Sequence, residues 1–585
     1  MSHIHYAVEA ANLHAHLFKV TLTIAQPAAT QTVSLPVWIP GSYLVREFAK
    51  HLQNLSARQD RRTAVVTQLD KCSWEVACRP GEPLVLSYEV YAFDNSVRTA
   101  WLDSQRGFFN GTSLCLRVHG QEDQPHQLQL LPVKGQPDWQ AATGLTPLKT
   151  DKKGFGLYQA ADYDELVDCP VELGTFWSGS FSACGIPHRF VVAGALPSFD
   201  GERLLADTQK ICEAEIRFWH GQGAQAGKKA PHKHYLFMLN AVNDGYGGLE
   251  HRNSTALIAG RRDLPRLGDN KTSEGYTTLL GLISHEYFHT WNVKQLRPDA
   301  FARYDYTREN YTPLLWFFEG FTSYYDDLLL RRAGLIDDAT YAKLLGKAIA
   351  QVQQTPGRHV QTVAQASLDA WVKYYRQDEN TPNATVSYYT KGSLVALCLD
   401  LTLRSEGHSL DEVMRGLWKR CKAGPMREQD VLDELHALTG RSWHKEIKAW
   451  VHSTEELPLA SLLESQGIRI HAESGDFAQH LGLRHLDANG SVQIKAVLRG
   501  SAAEQAGFAA GDEWLGLEVG ARGQRGHWRV GKLSDVPELL GQERKAWALV
   551  SRDKRLLRLP LTVPQQSTVW RLEVPKDRQA SWPAA

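Results

Sequence analysis

No run of 18 consecutive apolar residues occurs in the 585-residue chain, so no segment is long enough to cross a bilayer as a helix. The opening stretch, MSHIHYAVEAANLHAHLFKV, lacks a basic segment leading into an apolar run and a small-residue cleavage site, and does not read as a signal peptide. There is no CxxC pair among the eight cysteines, Cys72, Cys78, Cys115, Cys169, Cys184, Cys212, Cys398 and Cys421. Scattered thiols in so long a chain read as buried and reduced, not as a disulfide framework. Excess charge of one sign is missing too. Lys plus Arg and Asp plus Glu are equal at 65 each, which leaves no global field to attract nucleic acid or an anionic membrane. Neither an internal repeat nor a low-complexity tract is present. These absences point to a cytoplasmic protein with no nucleic-acid or membrane partner.

What is present is an ordinary globular composition, 43% hydrophobic and 22% charged, on a chain too long for one core. Residues 1–175 read as a β-sandwich-like domain. HAHLFKVTLTIA and PLVLSYEVYAF alternate apolar and polar positions, and Pro and Gly punctuate them at VWIPGSY and RPGEP. Residues 176–460 turn to helical periodicity after two short strand-like runs, HKHYLFMLNAV and STALIAG, which suggests an α+β catalytic domain. Residues 462–565 return to short strands and Gly-rich turns, and 566–585 read as a tail. Within the last domain GSAAEQAGFAAGDEWLGLEVG resembles the PDZ pattern of a small-residue helix followed by GD and an apolar strand. Leu481, Gly482 and Leu483 then stand where PDZ domains carry their carboxylate-binding loop.

The chemistry concentrates in SHEYFHTWNV, residues 284–293. On a helix, residues four apart project from nearly the same face, so His285 and His289 can aim at one ion. Glu286 lies beside them, placed to work on a water held by that ion. This is the HExxH arrangement of zinc enzymes. A catalytic zinc also needs a third protein ligand, and two glutamates compete for it. Glu309 sits in the polar segment DYTRENYTP. Glu319 sits in the apolar helix LLWFFEGFTSYYDD, where an ionised carboxylate is costly unless paired or metal-bound, and it is favoured on that ground. Asp326, seven residues further along the same helical face, is placed to orient a ligating histidine.

HEYFHTWNVKQLRP, LWFFEGFTSYYDDL, LPVWIPGSYLVREF and the PDZ-like segment together resemble the glycyl aminopeptidase family of gluzincin zinc metallopeptidases. The resemblance covers all three segments. It implies a thermolysin-like catalytic domain and one Zn2+ per chain held by His285, His289 and Glu319, with Glu286 as general base. It also implies peptide substrates with a free N-terminus and a preference for small N-terminal residues, Gly and Ala. The related aminopeptidases stabilise the oxyanion with the tyrosine of a YxKG motif, which here is Tyr389, with Tyr388 adjacent. NDGYGGLEHRNST resembles their G-x-x-E-N motif, although His251 replaces the Asn. Glu250 would face the substrate ammonium, and Gly247 and Gly248 would let a substrate strand come close to the backbone. Asn292, Arg297 and the stretch FDNSVRTAWLDSQRGFFNGTSL are further candidates for supporting the site or lining the cleft.

Two other readings keep the zinc. One is an endopeptidase whose PDZ-like domain captures the C-terminal peptide of a substrate. The other is a non-catalytic zinc-bearing scaffold, disfavoured because Glu286 is present and no fourth protein ligand is evident.

Overall fold

The computed structural model describes residues 4–223, 225–520, 526–564, 567–575 and 582. The chain forms two compact units, each assembled from distant segments. The first comprises Met1–Tyr311, Tyr325–Leu335 and Met414–Asp430, and the second Thr312–Tyr324, Ile336–Val413 and Val431–Ala585.

In the first unit the N-terminal residues build an eight-stranded sheet and two four-stranded sheets. The alternation seen in the sequence is the alternation of burial. Ile4, Tyr6 and Val8 of strand Ile4–Asn12, and Leu84, Leu86, Tyr88 and Val90 of strand Leu84–Tyr91, all point into one core. Val33 and Trp74, from one of the four-stranded sheets, belong to that same core.

The rest of this unit centres on a five-stranded sheet in the order Trp177–Ala183, Ile186–Ala193, Tyr235–Val242, Ser254–Gly260, Tyr246–Glu250. Its three middle strands are parallel and the two outer ones antiparallel to their neighbours. The central strand, YLFMLNAV, is buried throughout, as a strand covered on both faces must be. Tyr246–Glu250 is left as an edge. Helix Gly201–His220 connects two of the parallel strands and is an addition to the sequence reading. Its apolar residues Leu204, Leu205, Ile211, Cys212, Ile216 and Trp219 recur at helical spacing, and Asp200 caps it by accepting from the Arg203 amide. The HExxH helix, Glu274–Phe288, is capped by Ser273 and packs against Gly201–His220 and the strands Ser254–Gly260 and Tyr246–Glu250.

Behind that helix the Tyr287 hydroxyl lies 2.9 Å from His188 Nε2 and 3.0 Å from His232 Nε2. Burial pushes the two imidazoles down, His188 to about 4 and His232 to about 3. The unfolded chain therefore binds protons at these positions before the folded chain does. Their contribution is complete above about pH 6.5 and is lost as the pH falls from there through about 4 for His188 and about 3 for His232, several kcal/mol in all at about 1.4 kcal/mol per pKa unit. The urea midpoint should fall steeply between pH 6.5 and pH 4.5, and a flat profile over that interval would contradict this account.

In the second unit, helices Asp338–Gln353, Tyr388–Ser405, His444–Val451 and Leu459–Ser465 precede a six-stranded antiparallel sheet with two short helices, Ala502–Ala506 and Val536–Leu540. Helix Phe477–Leu481 ends at Gly482, whose φ of 73° lets the chain turn into the edge strand Leu483–Ala488. The segment expected as a tail contains a strand, Thr568–Glu573, which pairs with Arg469–Ser474. The last four residues, WRLE, alternate apolar and polar, with Leu572 buried. The rest of 566–585 lies outside the described residues except for Ser567, Val574, Pro575 and the buried Trp582. Among the described residues no cysteine is in a disulfide, and no helix is long and apolar enough to cross a membrane.

Candidate functional site

The first unit brings together most of the residues singled out in the sequence. His285 lies in the last turn of the HExxH helix and His289 caps its end. His285 Nδ1 lies 3.1 Å from Asp326 Oδ2, and His289 Nδ1 lies 2.8 Å from the Asn292 carbonyl. Both Nδ1 atoms therefore carry the proton and donate it, and each ring keeps a lone pair on Nε2. The two Nε2 atoms stand 3.0 Å apart. Two facing lone pairs repel unless a cation lies between them, and nitrogen ligands at about 2.0–2.1 Å from a tetrahedral zinc are about 3.3 Å apart. The donor set fits that metal, with both histidines oriented by acceptors on their far side.

Beyond His289 the chain leaves the helix through Val293, whose φ of 131° is rare for a β-branched residue. Lys294 follows, buried, and donates to Asp168 Oδ1 at 2.7 Å. His251 Nδ1 and the Arg252 amide also reach Asp168. Burial alone would raise this carboxyl, but Lys294, His251 and Arg252 outweigh it and hold it well below the usual range. His251 therefore ties the edge strand to the segment after the HExxH helix, a structural use for the residue that departs from the G-x-x-E-N pattern. Arg297 stacks over Tyr304.

Edge strand Tyr246–Glu250 runs alongside the helix. Ligand atoms of Glu250, Glu286 and His289 lie within 4.8 Å of one another, and all three side chains are buried. Gly248 is there because any side chain at that position would collide with the Glu286 carboxylate. Gly41 does the same for Glu250. Its φ is 89°, and a Cβ added there would lie 2.5 Å from Glu250 Oε2. The Pro-Gly turn in VWIPGSY thus backs the Glu250 carboxylate. In the sequence this motif stands out as a turn between strands and as part of the family resemblance, but nothing there names a partner for its glycine.

The second unit brings Glu319 and Tyr389 together. Glu319 is 2% exposed on helix Leu315–Arg332, the same helix that carries Asp326 two turns later. Glu309 lies outside any helix or strand. Helix Tyr388–Ser405 crosses Leu315–Arg332 through glycine: a Cβ on Gly320 would meet the Gly392 Cα at 2.5 Å, and one on Gly392 would meet the Trp316 carbonyl at 2.5 Å. The glycines of EGF and YTKG are thus the two sides of one close contact. Burial pushes the Tyr389 hydroxyl well up, and the Glu319 charge raises it further. Tyr389 keeps partial exposure, 3.4 Å from the Tyr375 hydroxyl, whereas Tyr388 stacks beneath it fully buried.

Residues 5–175 match the Peptidase M61 N-terminal domain, and residues 278–395 match the M61 glycyl aminopeptidase family. A crystal structure of an aminopeptidase N family protein from Idiomarina loihiensis is 36% identical, with a TM-score of 0.91 over 98% of both chains. An M1 zinc metallopeptidase from Deinococcus radiodurans is 16% identical, with a TM-score of 0.48 over 78% of this chain and 94% of that one. No curated protein matches.

Proposed function

The chain belongs to the M61 glycyl aminopeptidase family and is a zinc peptidase, and from that premise we propose that it removes single residues, Gly and Ala foremost, from peptides with a free N-terminus. The observation that carries the reading is the closeness of Glu250 to Glu286. An ammonium held by one carboxylate leaves room for a single residue before the bond on which the other acts. An endopeptidase would need that space open.

In this reading His285, His289 and Glu319 hold the zinc. When bound, zinc supplies Lewis acidity, which acidifies water and polarises a peptide carbonyl. Glu286 takes a proton from the attacking water and passes it to the departing amine. The Tyr389 hydroxyl stays protonated at neutral pH and donates to the oxyanion. Asp326 and the Asn292 carbonyl keep the histidine rings in register. Glu250 fixes the ammonium, and Gly247 and Gly248 leave the edge strand bare for the substrate backbone.

We read the C-terminal sheet as a PDZ-like module. Support comes from the turn at Gly482 opening the edge strand Leu483–Ala488, a place where a C-terminal peptide can add as a further strand.

The test is mass spectrometry of products from an unmodified Gly-Ala-initiated heptapeptide incubated with the zinc-loaded chain. Stepwise loss of one residue at a time is expected, and internal fragments without such a ladder would overturn the reading. Gly41→Ala should lower kcat/KM on the order of 100-fold by displacing Glu250, with zinc content unchanged. Wild-type kinetics in that variant would remove the turn from the account.

A further inference from the structure

Arg98 is a guanidinium with work left to do. It lies in the N-terminal segment FDNSVRTAWLD and reaches the edge strand, where Nη2 donates to the Gly248 carbonyl at 3.2 Å. Nη1 lies 3.7 Å from where a Cβ on Gly247 would stand. Its Nε is buried and has no hydrogen-bond partner, and no carboxylate pairs with it among the described residues. The contrast with Arg106 in the same segment is direct: that side chain forms a two-pronged pair with Glu172, at 2.7 Å for each bond. A half-buried guanidinium without an anion is costly to keep, and its planar fork matches a carboxylate.

The turn that carries Arg98 is braced. Asn240 of the central strand donates to Asn95 Oδ1 at 2.7 Å, the Arg98 amide donates to Ser96 Oγ at 3.2 Å, and Thr99 Oγ1 donates to the Asp94 carbonyl at 3.1 Å. The side chain is therefore held beside Gly247 and Gly248, two to three residues along the strand from Glu250. Two residues of antiparallel strand span about 6.8 Å. The ammonium and carboxylate of an extended dipeptide are about 6 Å apart, and those of a tripeptide about 10 Å.

Resting on the aminopeptidase reading, we propose that Arg98 binds the free C-terminal carboxylate of the substrate, so that the site is built for di- and tripeptides clamped at both ends. Glu250 holds one terminus and Arg98 the other, and the scissile bond is presented between them to Glu286.

The experiment compares Gly-Ala, Gly-Ala-Ala and a Gly-initiated pentapeptide, each as free acid and as C-terminal amide. The zinc-loaded full chain and its Arg98→Ala and Arg98→Lys variants are assayed in parallel. Wild type should favour acid over amide at least about 10-fold in kcat/KM for two and three residues, and not at all for five. Arg98→Ala should erase that difference and leave amide hydrolysis within about 3-fold of wild type, while Arg98→Lys keeps part of it. Equal cleavage of acids and amides by wild type would overturn the proposal and leave the aminopeptidase standing. So would an Arg98→Ala variant that slows both alike, since a pin between segments behaves that way. Calorimetric binding of Gly-Ala and its amide to the Glu286→Gln chain reads the same preference without turnover. Cleavage of no peptide would therefore count against the aminopeptidase reading, while binding still decides the role of Arg98.

Discussion

Glu286→Gln should lower kcat at least about 100-fold while the chain still binds zinc. The amide keeps the size of the carboxylate and loses its basicity. Glu286 is buried against Gly248, so a near-isosteric replacement leaves the packing of edge strand on helix undisturbed. KM should change little, because the residue acts on the water and not on the peptide. A metal assay and a steady-state titration on the same preparation check both halves. Near-wild-type kcat with zinc in place would remove Glu286 from the chemistry.

Glu250→Ala should show the opposite division. Removing a buried carboxylate that holds an ammonium costs about 2–5 kcal/mol, on the order of 100-fold or more in kcat/KM. The loss should fall on substrates with a free amine, and an N-acetylated peptide should be no worse for the variant than for wild type. Zinc content should hold, since His285 and His289 are oriented by Asp326 and Asn292 and not by Glu250. Unchanged kinetics in Glu250→Ala would leave the exopeptidase reading without its anchor.

The sequence disclosed the helix and its chemistry because both follow from spacing. HExxH sets two imidazoles one turn apart, and burial of LLWFFEGFTSYYDD makes Glu319 an expensive carboxylate whatever the fold. Strands Tyr235–Val242 and Ser254–Gly260 were legible as short, largely apolar runs. Helix Gly201–His220 could have been read from its own apolar spacing. Contacts between residues far apart in the chain were not legible. Gly41 meets Glu250 across more than 200 residues, and Lys294 meets Asp168 across 126. Gly320 and Gly392 look like ordinary helix glycines until the two helices are seen to cross. Arg98 resembled any polar residue of a loop, because an unpaired guanidinium shows itself only once every neighbour is in place.

The most direct measurement is release of glycine by the zinc-loaded chain from a short Gly-initiated peptide, beside the same peptide N-acetylated. The account predicts cleavage of the free form alone, because only that form carries the ammonium that Glu250 holds beside Glu286. Equal cleavage of both would contradict it and make the chain an endopeptidase.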